Sequence, residues 1–453
     1  MKWLYLTVAL LLAVTMSSQG FVLNYVSSTN YRHWSLINLN TSVPTNSVNR
    51  TTHAVRYYLA SDGFSATNTA AELNALRDSF GQWLAVTNTH LKFEEVGLVA
   101  PPVDVNTSDN TNILYWAKSS TIVKGGTANI SGALGVTYLS FFGDGSFSQG
   151  DIVFNGVESS WFTSATNTAS TDYFIEGVAL HEIGHFIGLQ HSPVGGATML
   201  FAADDGISLQ AGLSPDDIAG ARFIYPVNAT NYGTIKGTIT RSGGSAVFGA
   251  AVYVQNGSTN IVAGAMSLSN GNYEVSALLP GNYYVRVAPL DPINAPDFLA
   301  TGNQIDSTTF SAADAFFLPT TNVASTVVAN ITNTVNFTVV SNAPAFRITK
   351  IRHATANANS YAWSSLGDSL RVGQSNYTLG VASANLPSSG ATLTITGNGL
   401  TVGATTFDAN AFGTGLNFMS VPISVSSNST PGLRSFVVTQ GANRSAGRQY
   451  ASR

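Results

Sequence analysis

Apolar and polar positions are arranged in three different ways along this chain, and each arrangement predicts a different kind of element. The first is a largely apolar run from Trp3 to Met16, preceded by Met1 and Lys2 and followed by Ser17-Ser18-Gln19-Gly20. That run is short for a bilayer span and has the layout of a cleaved export signal. Residues 1–20 are therefore expected to be a signal peptide, with a secreted mature chain beginning near Phe21. The second arrangement, from about residue 52 to Pro226, switches between a period of two and a period of 3.6. His53 to Ala60 reads as a strand, and Thr69-Ala70-Ala71-Glu72 reads as a capping box opening a helix. On that helix Leu73, Leu76, Phe80, Trp83 and Leu84 share one face. Leu91 to Val96, Asn112 to Ala117, Ala133 to Leu139 and Gly150 to Asn155 read as further strands, and Tyr173 to Leu189 as a second helix. After Pro226 the third arrangement begins, in which short strands rich in Val, Thr and Tyr are separated by Gly and Asn.

The third arrangement places strands at 233–239, 249–254, 271–275 and 279–287, the spacing of a β-sandwich. A further β-rich block follows, with 391–400 and 434–439 as its clearest strands. The expected architecture is multidomain: an α+β domain over 21–227, then two all-β sandwich domains over 228–342 and 343–453.

Composition narrows the partners. No cysteine is present, so neither disulfides nor thiolate ligands contribute, and each domain must be held by its packed core. Charged residues are only 10% and the net charge is -4, which gives no electrostatic footprint for nucleic acid. Beyond the leader no segment approaches eighteen uninterrupted apolar residues, so the chain is not expected to span a membrane.

The chemistry concentrates in His181-Glu182-Ile183-Gly184-His185-Phe186-Ile187-Gly188-Leu189-Gln190-His191. On a helix His181 and His185 lie one turn apart on one face, close enough for both imidazoles to reach one metal ion. Gly188 can adopt the left-handed conformation that ends the helix and brings His191 back as a third ligand. Three neutral imidazoles leave one tetrahedral position of a zinc ion open, the arrangement of catalytic sites. Glu182 points elsewhere on the helix and is the candidate general base. Three of the seven histidines of the chain fall within these eleven residues, which a packing role accounts for poorly. His353, alone in its block, is assigned no role.

The extended H-E-x-x-H-x-x-G-x-x-H pattern is that of metzincin peptidases, and residues from about Phe21 to Pro226 resemble a matrixin catalytic domain. The resemblance rests also on Ser192 after the third histidine, on Thr198-Met199 at the place of the Met-turn, and on 213–226 as a closing helix. In that helix Ser214 can cap, Pro215 suits the first position, and Asp216 and Asp217 suit the positive end of the dipole. The resemblance implies a zinc-dependent endopeptidase acting on protein or peptide substrates. Met199 would be a packing residue, and Asp216 or Asp217 would anchor the Met-turn. Leu134, Gly135 and Val136 would belong to an edge strand on which an extended substrate adds itself to the sheet. Residues 228–342 resemble a carboxypeptidase regulatory-like, transthyretin-like sandwich, and the last block faintly resembles immunoglobulin-like modules; such accessory domains would bind a surface or a substrate.

Departures from the family shape further expectations. Gly150-Asp151-Ile152-Val153-Phe154-Asn155 lacks a histidine that would hold a second, structural zinc, so one catalytic Zn2+ is expected. Asp151, Asn155 and Glu158 offer oxygens for Ca2+. Phe201-Ala202-Ala203 stands where a Pro-x-Tyr wall of the specificity pocket would be. The proposed catalytic residues all precede Pro226, so a chain ending near Val227 is expected to keep peptidase activity. The competing expectation is a secreted adhesion or matrix protein with a degenerate zinc domain; the intact Glu182 between its ligands speaks for the enzyme.

Overall fold

The computed structural model describes residues 21–452 apart from 22, 28–29, 165–171, 195, 201–211, 258, 290–313, 315, 343–345, 356–368, 411–414, 431 and 446–447. The expected signal peptide and the Phe201-Ala202-Ala203 segment lie outside the described residues.

The first domain is built on a five-stranded sheet. Its strands are β1 (Val55–Ala60), β2 (Phe93–Val99), β3 (Ile113–Ala117), β4 (Gly135–Phe141) and β5 (Phe147–Asn155), in the order β2-β1-β3-β5-β4. Four strands run parallel, and β4 pairs antiparallel with β5 at the edge. The unbroken apolar run of β3, Ile113-Leu114-Tyr115-Trp116-Ala117, follows from its central place, since a strand covered on both faces does not alternate with polar residues. Three helices, α1 (Thr69–Leu84), α2 (Ile175–Phe186) and α3 (Pro215–Ile224), occur among the described residues. The apolar face of α1 packs through Phe80 and Trp83 into the core it shares with α2 and the sheet. No helix among the described residues is long and apolar enough to cross a membrane.

Two local expectations are corrected. Thr69 does not open a capping box: the N-cap is Asn68, without a side-chain cap, and the Glu72 carboxylate instead accepts from Phe64 N, Ser65 N and Ser65 Oγ. The loop ahead of α1 offers three donors, which outcompete a reach to the helix start. The second helix begins at Ile175, not Tyr173, because the backbone of Tyr173–Phe174 pairs in parallel with Trp161–Phe162.

Residues ahead of the sheet also belong to this core. Phe21, Leu23 and Trp34 are buried in it, with Phe21 against Phe223 of α3. The indole of Trp34 donates to Phe186 O at 2.8 Å, and the hydroxyl of Tyr225 donates to Ile187 O at 2.8 Å. Carbonyls at a helix end have no partner within the helix, so these two side chains complete the C-terminus of α2.

The second domain sets two sheets around its own core. One contains β6 (Gly233–Arg241) between Asn272–Leu278 and Thr332–Thr334. The other contains β7 (Ala250–Asn256), β8 (Ile261–Met266) and β9 (Gly281–Pro289), with β7 in the middle. β8 meets β10 (Gly432–Gln440) of the third domain at the pair Ile261 and Leu433, so one sheet runs through both. The third domain closes around a separate core that includes Leu379, Met419 and Phe436.

Candidate metal centre

His181 and His185 stand one turn apart on α2, their rings 4.7 Å apart between centroids and nearly perpendicular. At Gly188 φ is +107°, and a Cβ there would lie 2.4 Å from Arg32 O, so only glycine fits this turn. Beyond it the chain returns His191 to within 5.2 Å of the His181 ring and 5.0 Å of the His185 ring. One nitrogen from each lies within 4.8 Å of the others, and this is the metal-capable His, Cys, Asp and Glu cluster among the described residues.

The rings are oriented from behind. His181 Nδ1 lies 2.8 Å from Thr198 O, and His185 Nδ1 lies 2.8 Å from Leu189 O. A carbonyl can only accept, so each Nδ1 carries the proton and each Nε2 keeps its lone pair. Burial holds the His181 imidazole down at about 4 and that of His185 at about 3, the latter helped by the neighbouring His181. His191 is lowered by the same two causes. Three neutral imidazoles, two of them oriented by backbone carbonyls, are a donor set that fits zinc.

Glu182 is buried beside them but faces the edge strand. Its Oε2 accepts from Thr137 Oγ1 at 2.7 Å, and its backbone carbonyl faces the same hydroxyl at 3.0 Å. Burial pushes its carboxyl up to about 7, against the pull of the Thr137 hydrogen bond. Gly135 makes room for it, since a Cβ there would lie 2.8 Å from Glu182 Cγ. Gly135 and Val136 lie on β4, and Leu134 just precedes it, its carbonyl accepting from Asn155 N. All three line a cleft of about 570 Å3 together with the three histidines and Glu182.

Beneath the histidines Met199 fills the space that Gly184 leaves. A Cβ on Gly184 would fall 2.1 Å from the Met199 sulfur. Both aspartates of α3 are buried and divide the support. Asp217 accepts from Thr198 N, Met199 N and Ser214 N, and so anchors the Met-turn while closing a capping box with Ser214. Asp216 turns the other way, to Ser192 Oγ at 2.5 Å.

The calcium set does not assemble. Asp151 and Asn155 are four residues apart on an extended strand, about 13 Å. Asp151 accepts from Asn106 N and Ile113 N, whereas Asn155 donates to Glu158, which also accepts from Ser131 and Gly132. These carboxylates are taken up by loop backbone.

A three-histidine cluster with a buried glutamate under an edge strand is an arrangement that could hold one metal ion beside a proton acceptor. Residues 49–226 match the family model described as Matrixin, and residues 234–340 match the carboxypeptidase regulatory-like domain. The chain thus carries a matrixin domain followed by a carboxypeptidase regulatory-like domain. Among curated proteins none matches. Solved structures give remote likenesses. GBS52, the minor pilin of Streptococcus agalactiae, is 12% identical over 26% of this chain and 48% of that one, with a TM-score of 0.16. BcpA, the major pilin subunit of Bacillus cereus, is 12% identical over 49% and 69%, with a TM-score of 0.18. Fervidolysin from Fervidobacterium pennivorans is 12% identical over 74% and 53%, with a TM-score of 0.17. The chain spans about half the length of the minor pilin, and likenesses at these scores carry no argument.

Proposed function

We propose that the chain is a secreted zinc-dependent endopeptidase. The observation that carries this reading is the placement of Glu182, which lies in the same cleft as His181, His185 and His191 yet is held to Thr137 and not among the ligand nitrogens. The three histidines would hold one zinc ion, which supplies Lewis acidity that polarises a carbonyl and makes water a nucleophile near neutral pH. Glu182 accepts the proton of the attacking water and passes it to the leaving amine. Thr137 fixes the direction of that carboxylate. The edge of β4 that no described strand pairs offers backbone donors and acceptors to an extended peptide, which gives affinity without demanding a side-chain sequence.

The test is metal analysis of purified wild type and His185→Ala beside hydrolysis of a quenched fluorescent peptide library. One zinc and cleavage in the wild type, both lost in the variant, support the reading. Equal zinc contents, or a zinc-loaded wild type that cleaves nothing, would overturn it.

A further inference from the structure

The third ligand is the one histidine of the centre that comes from a loop, and that loop is closed by the second domain. Ser192, next to His191, donates from its backbone to Met199 O at 2.6 Å and from its hydroxyl to Asp216, and the hydroxyl accepts from Val194 N at 3.1 Å. The other oxygen of Asp216 does not stay in the matrixin domain. It accepts from Gly264 N on β8 at 2.7 Å. One buried carboxylate therefore ties the residue beside His191 to a strand of the carboxypeptidase regulatory-like domain.

Packing repeats the tie. Val194 and Ala197 of the ligand loop are buried in a cluster with Ala251, Tyr253, Ile261, Met266 and Ala288 of the second domain and Leu433 of the third. The approach is close enough that a Cβ on Gly264 would lie 2.4 Å from Val194 Cγ2. Without the second domain, Val194, Ala197 and one oxygen of Asp216 would lose their cover, and the loop would be left to its ties within the first domain, among them Ser192 to Asp216, Thr198 to His181 and Asp217 to the Met-turn. The expectation that a chain ending near Val227 works unaided overlooks this shared core.

We infer that the carboxypeptidase regulatory-like domain is a working part of the metal centre: its strand β8, docked on Asp216 and Val194, positions His191. Asp216 and Gly264 are positioning residues that act through Ser192 and the loop; neither touches the ligand nitrogens. The inference rests on the zinc reading above, and outer partners of this kind typically change metal affinity by roughly 10-fold to 100-fold.

The experiment uses the full chain as wild type, Gly264→Ala, and Gly264→Ala with Val194→Ala, the second change removing the methyl that the first one strikes. Amide hydrogen exchange of 192–199 is followed on metal-free protein, with α1 amides as the control for the fold. Zinc affinity is measured by competition with a chromophoric chelator. Gly264→Ala is expected to speed exchange in 192–199 but not in α1, and to lower zinc affinity roughly 10-fold to 100-fold, with the double variant returning toward wild type in both. Unchanged exchange, or faster exchange with unchanged zinc affinity, would overturn the inference. A wild type that takes up no zinc would overturn it together with the peptidase reading, and the exchange measurement, which needs no metal, tells that failure from a failure of docking.

Discussion

The hydroxyl of Thr137 donates to the carboxylate of Glu182 at 2.7 Å, joining the middle of the edge strand to the helix that carries the ligands. The two residues are forty-five positions apart, and under the proposed function their bond would set where the proton acceptor stands relative to a peptide on that edge. Thr137→Val keeps the shape and removes the bond. A hydrogen bond to a charged group contributes about 1.5–3 kcal/mol, so peptide turnover should fall roughly 10-fold to 100-fold. Zinc content should not change, and a parallel loss of zinc would show that Thr137 supports the ligands instead.

Glu182→Gln preserves size but cannot accept a proton. Turnover should fall roughly 100-fold to 10,000-fold, about 3–5 kcal/mol of barrier, with zinc retained. Single-turnover hydrolysis with zinc assayed on the same samples checks both, and wild-type rates in the variant would remove Glu182 from the chemistry.

Gly184→Ala drives a methyl into the Met199 sulfur, with Trp83 Cζ2 also 3.2 Å away. Overpacking of this kind costs about 1–3 kcal/mol. Urea unfolding should show that loss, and Met199→Ala on the same chain should recover part of it. If the single variant is as stable as wild type, the methionine does not bear on the underside of α2.

Burial pushes the Asp151 carboxyl up to about 7, against hydrogen bonds from Asn106 N and Ile113 N. The folded state then holds this proton to about pH 7, whereas an unfolded chain releases it near 3.9. Between those values the native state binds more protons, so this residue's contribution to stability falls as pH rises. Asp151→Asn has no proton to lose, and its stability should drop less between pH 4.5 and 7.5 than that of wild type. Equal drops would place the Asp151 pKa in the ordinary carboxylate range.

The sequence showed the centre more plainly than its supports. His181, His185, Gly188 and His191 are legible because their spacing is the geometry of one helix turn and one sharp bend. Glu182 is legible as a candidate base for the same reason, but its partner Thr137 is one polar residue on a strand of ordinary appearance. The choice between Asp216 and Asp217 was open because helix position alone puts both at the positive end of a dipole; only the folded contacts send one to the Met-turn and the other outward. β8 escaped notice, since Ile261-Val262-Ala263-Gly264-Ala265-Met266 does not alternate and holds a glycine, although Asn256-Gly257 and Asn260 ahead of it carry a turn signal. Burial of nearly every position removes alternation, and the glycine inside it is there for the neighbouring domain. The Thr69 capping box shows the opposite error, a local motif whose glutamate found better donors in the preceding loop.

Leu433 lies about 240 residues after His191, yet both border the same loop. Chains grow from the N-terminus at about 5–20 residues per second, so roughly 10–50 s separate the synthesis of the ligand from that of its last neighbour. Early in that interval, before Ala251, Tyr253, Ile261, Met266 and Ala288 are made, Val194 and Ala197 lack the apolar surface that covers them, and Leu433 completes it last. The candidate centre thus has all its own residues long before its enclosure is finished, and a chain cut short between His191 and Leu433 would carry the three histidines without their full cover.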